Sequence, residues 1–245
     1  RTYVGGGWKA GAAFSNDAGT NGATIASVGS VNQDAGFSIV TYTGNGTSGA
    51  TVSHGLSVAP SLILPKVTSR SGDNWHCYHS ALGGTKGIIL NVPNKETTDA
   101  GFWNNTNPSS SVFTLGTYNV FSEQDYVAYC FAEVPGYSSF GSYTGNGSTD
   151  GVFVHLGFRP AFVMTKRTDS AGGWIILDSE RSPNNVAQNI LSAQAPDQDT
   201  GSTYNVVDFL SNGFKLRITG DPNTSGAPNI YMAFAENPFK NSLAR

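Results

Sequence analysis

The chain repeats itself at the spacing of a whole domain, and this limits its fold more than any other feature. Ile39-Val-Thr-Tyr-Thr-Gly-Asn-Gly-Thr47 is echoed by Phe140-Gly-Ser-Tyr-Thr-Gly-Asn-Gly-Ser148. His54, Pro60, Lys66 and Trp75 return in the same order as His155, Pro160, Lys166 and Trp174, and Phe131-Ala-Glu133 returns as Phe234-Ala-Glu236. The period is about 100 residues, too long for a solenoid unit and right for a small domain. We therefore expect two tandem domains from an internal duplication, residues 36–137 and 138–245, behind an extended N-terminal leader, residues 1–35. Only Pro135-Gly-Tyr-Ser-Ser139 separates the repeats, too little for a flexible tether, so the domains should pack in a fixed orientation.

Both repeats read as β structure. Short runs rich in β-branched and aromatic residues occupy Phe37–Thr43, Thr51–Ser53, Ser61–Val67, Asn74–His79, Gly87–Val92, Ser111–Leu115 and Tyr126–Val134. The second repeat has matching runs at Val152–His155, Ala161–Lys166, Trp174–Asp178, Tyr204–Leu210, Phe214–Ile218 and Asn229–Glu236. Gly, Asn, Ser and Pro separate them, as turns require. This pattern predicts an all-β fold: two antiparallel β-sandwiches of the jelly-roll or immunoglobulin-like kind. The one helical candidate, Asn185–Ala193, is short and poorly capped. In Tyr-Thr-Gly-Asn-Gly, Asn-Gly favours the positive φ of a tight turn, and its presence in both repeats marks a corner of the fold.

The leader carries Tyr3, Val4, Trp8, Phe14, Ile25, Val28 and Val31, with Ala23–Val31 reading as one extended strand. A lone strand must join a sheet, either its own or a neighbour's. We take Tyr3, Val4, Trp8, Ile25, Val28 and Val31 as a candidate assembly strand donated to a second copy. The first residues lack the charged-then-apolar pattern of a signal peptide, and without an initial Met the chain is expected to be a processed product or a segment of a longer protein.

Charged residues make up only 13% of the chain and the net charge is −3, with no Lys/Arg cluster, which disfavours a nucleic-acid partner. No run approaches the ~18 apolar residues of a membrane-spanning helix. A surface of neutral hydroxyls and amides suits packing against copies of itself, because little charge must be desolvated. Cys77 and Cys130 are too few for a disulfide framework, and their repeat equivalents are apolar, so two free core thiols are expected.

Several segments resemble a family of bacteriophage structural proteins, virion or tail-fibre-like, many from aquatic phages. The resemblance is carried by Gly36-Phe-Ser-Ile-Val-Thr-Tyr-Thr-Gly-Asn-Gly46, Tyr126-Val-Ala-Tyr-Cys-Phe-Ala-Glu133, Phe158-Arg-Pro-Ala-Phe-Val-Met-Thr-Lys-Arg167, Val207-Asp-Phe-Leu-Ser-Asn-Gly-Phe-Lys-Leu216 and Tyr231-Met-Ala-Phe-Ala-Glu-Asn-Pro-Phe239, with Trp8-Lys-Ala-Gly11 as preface. It implies an extracellular virion protein and supplies no catalytic residues.

Candidate chemistry is sparse. In His76-Cys-Tyr-His79 a strand would point the two histidines to opposite faces, which is wrong for chelation. His54 and His155 begin Gly-rich turns and are read as backbone hydrogen-bonding groups. Glu133 and Glu236 stand one per domain, whereas glycosidase chemistry needs two carboxyl groups about 5–10 Å apart, so each is read as tying down an exit loop. Asp197-Gln-Asp199 reads as a solvated loop. We expect no catalytic residue, metal or cofactor. Four sequons, at Asn45, Asn104, Asn146 and Asn223, are glycosylation candidates, and Trp75, Trp103 and Trp174 are candidate glycan contacts. The expected function is that of a non-enzymatic, self-assembling structural protein of a virion or tail fibre, a homo-oligomer or polymer. The alternatives are a donor-strand-linked, pilus-like filament subunit and a carbohydrate-binding module for cell-surface glycan.

Overall fold

The computed structural model describes residues 7–9, 11–195, 200–201 and 205–236. In the first unit the strands are β1 (Ala12–Asn16), β2 (Ser27–Asn32), β3 (Phe37–Thr43), β4 (Thr51–Ser53), β5 (Leu62–Val67), β6 (His76–His79), β7 (Lys86–Ile89), β8 (Thr97–Thr98), β9 (Val112–Thr114) and β10 (Asp125–Phe131). In the second they are β11 (Ser138–Thr144), β12 (Phe153–His155), β13 (Pro160–Arg167), β14 (Trp174–Asp178), β15 (Asn189–Ser192), β16 (Thr200–Gly201), β17 (Val207–Leu210), β18 (Gly213–Leu216) and β19 (Pro228–Ala235). One short helix, α1 (Ala100–Trp103), is capped by the Asp99 carboxylate, which accepts the Gly101 N–H at 2.7 Å. The chain is therefore all-β, with antiparallel strand pairing throughout its ladders. Among the described residues no helix is long and apolar enough to cross a membrane.

The large sheet of the first unit runs β1-β2-β3-β10-β5-β6-β7-β8, and that of the second runs β11-β19-β13-β14-β15-β16. From β3 and from β11 onward the two orders are the same, strand for strand. Each large sheet is faced by a small one, β4-β9 in the first unit and β12-β18-β17 in the second.

Strand alternation explains how these four layers stack. On β10, Tyr126, Ala128 and Cys130 point into the first sandwich, against Val40, Tyr42, Val52 and Phe113. Tyr129 and Phe131, which alternate with them, point to the opposite face. On β19, Tyr231, Ala233 and Ala235 enter the second sandwich, while Ile230, Met232 and Phe234 face away from it. The two outward faces meet. Phe37, Leu62, Cys77, Ile88 and Phe131 of the first sheet share one buried cluster with Phe140, Met164, Trp174, Met232 and Phe234 of the second. Repeat-equivalent residues meet there: the rings of Phe131 and Phe234 lie 5.9 Å apart. The same patch on both partners is the mark of an isologous, approximately two-fold contact. Each fully buried large side chain in it contributes about 1.5–3 kcal/mol.

Two expectations need correction. The leader is not a free strand: β2 pairs with β3 over six residues and β1 pairs with β2 over five, so the leader forms a hairpin at the edge of its own first sheet. The turn at Asp17–Gly22 permits the reversal, with positive φ at Gly19, Asn21 and Gly22. Ile25 bridges Val52 in the first core, Val31 packs against that core, and Val28 is 56% exposed on the outer face. Trp8 lies against Phe37, Phe131 and Phe234, while Tyr3 and Val4 fall outside the described residues. Secondly, the helical candidate Asn185–Ala193 contains β15, which pairs with β14. There the sheet offers hydrogen-bond partners that a short, uncapped helix would lack. The expected run Tyr204–Leu210 holds β17, from Val207; Tyr204 lies outside the described residues. Cys77 and Cys130 are buried and unbridged, on opposite faces of the first large sheet.

Candidate binding groove

Among the described residues the shared core is not closed all round. Beside it a groove of about 340 Å³ opens, lined by Trp8, Phe37, Ile39, Leu64, Trp75, Tyr129, Phe131 and Met232. The fold builds it from one face of three strands of the first sheet, with Met232 of β19 across from them: Ile39, Tyr129 and Leu64 stand in register across β3, β10 and β5. Trp75, just before β6, stacks on Tyr129 with ring centroids 6.1 Å apart and planes 26° apart. Its backbone N–H donates to Asn91 Oδ1 at 2.8 Å, which fixes the indole at the rim. Among the lining residues the only polar side-chain groups are the Tyr129 hydroxyl and the two indole N–H groups. Such a lining suits flat or apolar surfaces.

The other two candidate glycan contacts are elsewhere. Trp103 is 1% exposed, packed in α1 against Tyr78 in the first core. Trp174 is 2% exposed in the inter-sheet core and donates its Nε1–H to Ile89 O at 2.9 Å. Neither can touch a glycan. Trp75 and Trp174 are repeat equivalents, yet the segment after β7 covers only Trp174: Pro93 O accepts the Gly172 N–H at 2.9 Å, and the Glu96 N–H donates to Thr168 O at 2.9 Å.

The sequons also divide. Asn45, Asn104 and Asn146 are exposed. Asn223 is 0% exposed, and its Nδ2 donates to Asn146 Oδ1, Ser148 O and Ile218 O, so it cannot carry a glycan. Asn146 is itself committed, donating to Asp150 O and accepting from the Ser148 N–H.

The titratable candidates stay apart. His76 Nδ1 lies 2.7 Å from Asn119 Oδ1, whereas His79 Nε2 lies 3.0 Å from Tyr231 O across the inter-sheet core. His54 is buried, with Nδ1 accepting the Leu56 N–H and Nε2 facing Ser109 O; its equivalent His155 is exposed. Glu133 accepts the Phe140 N–H at 3.0 Å at the start of the second repeat. Its equivalent Glu236 pairs with Arg159 at 3.1 Å. Asp197 and Asp199 lie outside the described residues. Among the described residues no group of three or more His, Cys, Asp or Glu is placed to hold a metal ion.

Sequence reading missed the contribution of Trp8, Tyr129 and Met232 to one groove. A signal for the buried outer face was present: Tyr126-Val-Ala-Tyr-Cys-Phe131 is apolar at every position, as in a strand covered on both faces.

Residues 1–238 match a protein family described as Domain of unknown function (DUF7483). No curated protein and no solved structure matches the chain.

Proposed function

The chain belongs to the DUF7483 family, and we propose that it is a non-enzymatic, extracellular structural protein of the virion or tail-fibre kind that assembles with copies of itself. The observation that carries this reading is the fusion of two equivalent sandwiches through the same face of their large sheets, in a body with only 13% charged residues. Four layers locked by an isologous apolar core make a stiff block, and a surface poor in charge associates at little desolvation cost. The resemblance of both repeats to phage structural proteins supports the same reading. The pilus-like alternative is disfavoured, because the strand it would donate is paired in its own sheet. Electron microscopy of the purified chain tests the proposal. Ordered spikes, fibres or discrete oligomers are expected. Turnover of a polysaccharide panel, lost on Glu133→Gln, would overturn the non-enzymatic reading.

One observation favours a second reading, a carbohydrate-binding module: the half-buried Trp75–Tyr129 stack offers a ring face of the kind that sugars pack against. Its check is a glycan titration in which Trp75→Ala abolishes binding while Trp8 fluorescence and thermal stability are retained.

A further inference from the structure

The large sheet of the first unit ends at β1, which pairs on one side with β2 and, among the described residues, with nothing on the other. Exposed edges are normally blunted by Lys, Pro, a bulge or a very short strand. β1, Ala12-Ala-Phe-Ser-Asn16, has none of the first three, and its register with β2 is unbroken over five residues. The opposite edge of the same sheet, β8, is two residues long. The long edge of the second sheet, β11, is blunted: the Glu133 carboxylate takes the Phe140 N–H, and Val134 bridges Ser138. In the first unit the equivalent edge of β3 is already covered by β2.

The charges beside β1 have opposite signs. Lys9 precedes it and Asp17 follows it, and both are exposed. Asn32 Nδ2 donates to Lys9 O at 3.4 Å, which keeps Lys9 alongside β2. If β1 pairs antiparallel with β1 of a second copy about a two-fold axis at Ala13, each Lys9 lies opposite the other copy's Asp17, and each Ala12 opposite a Phe14. Parallel pairing would place like charges together. We propose that β1 is a self-complementary dimerisation edge, joining the eight-stranded sheets of two copies into one continuous sheet. The contact is isologous, so it closes at two chains. It rests on the self-assembly reading above and supplies that reading with a surface.

The test is sedimentation equilibrium and light scattering on the full chain over a range of concentrations. A monomer–dimer equilibrium is expected. Ala13→Lys sets two ammonium groups side by side at the axis and should weaken dimerisation several-fold. Lys9→Glu should weaken it through two like-charge pairs, and adding Asp17→Lys to Lys9→Glu should restore it. These positions are exposed, so circular dichroism and melting temperature should remain those of the parent. A chain monomeric at every concentration, or a dimer indifferent to Ala13→Lys, overturns the proposal. Larger assemblies insensitive to all three variants would also sink the β1 edge, yet leave the self-assembly reading standing.

Discussion

Gly44 and Gly145 hold the same place in the two repeats, and at both the neighbouring backbone leaves no space for a side chain. A Cβ on Gly44 would sit 2.2 Å from Phe121 O, and one on Gly145 would sit 2.3 Å from Thr224 O. Two residues on, Gly46 and Gly147 take φ of +76° and +67°. The adjoining tyrosines anchor the same corner: Tyr42 donates its hydroxyl to Asn119 O at 3.1 Å and Tyr143 to Pro222 O at 2.9 Å. The repeated Tyr-Thr-Gly-Asn-Gly is thus a packed corner in both units. Gly145→Ala should cost about 1–3 kcal/mol, read as a lower denaturant midpoint at unchanged slope. An unshifted midpoint would mean that the Thr224 backbone gives way freely. Trp174→Ala, which empties a fully enclosed site, should cost about 3–5 kcal/mol by the same measurement.

One buried histidine ties strands of different sheets, and it and other buried titratable side chains make stability depend on pH. His79, on β6, donates from Nε2 to Tyr231 O on β19 and accepts the Ala81 N–H at Nδ1, so both nitrogens are used by the neutral ring. Burial pulls its pKa, and that of His54, from 6.5 down to about 4. Between those values the unfolded chain binds protons that the folded chain refuses, so stability falls as pH drops from 6.5 to about 4 and levels off below. Unfolding by urea on both sides of that window should show the loss, and His79→Gln should shallow it. Lys166, on β13, is buried, and its ammonium donates to Arg167 O at 2.7 Å and Pro93 O at 3.4 Å. Burial draws its pKa from 10.5 down to about 8. Across that interval the unfolded lysine keeps its proton while the folded one releases it, so stability rises with pH there. Lys166→Met should flatten that alkaline rise; an unchanged slope would assign it to other groups.

The molecule as a whole is held by its third core, the one neither sandwich owns. Phe131, Phe140 and Phe234 stand within 6.4 Å of one another by ring centroids, with Trp8 against two of them. Two units sharing that much apolar surface should unfold together. Calorimetry should therefore give one transition with equal calorimetric and van't Hoff enthalpies, and Phe234→Ala should lower that whole transition. Two resolved transitions would show that the units fold independently. The approximate two-fold is broken at the groove: Ile89–Glu96 seals Trp174, while Trp75 stays half-buried.

Local physics made much of this legible in the sequence. β-branched runs broken by Gly and Asn gave the all-β class, because side-chain alternation and turn chemistry act over a few residues. The ordered anchors from Tyr42/Tyr143 to Phe131/Phe234 mark two repeats whose large sheets share one strand order, and the strand-face argument separated His76 from His79. What only the tertiary structure decided is which surfaces are covered. Trp75 and Trp174 are the same residue in the same local pattern, yet one lines a groove and the other is sealed. Asn45 and Asn223 each head a sequon, yet of the two only Asn45 reaches solvent. The leader's choice of its own sheet over a neighbour's is a matter of pairing partner, and the meeting of the two outer faces is settled by contacts such as Phe131–Phe234, about 100 positions apart; strand pattern encodes neither the partner of an edge nor that of a distant face.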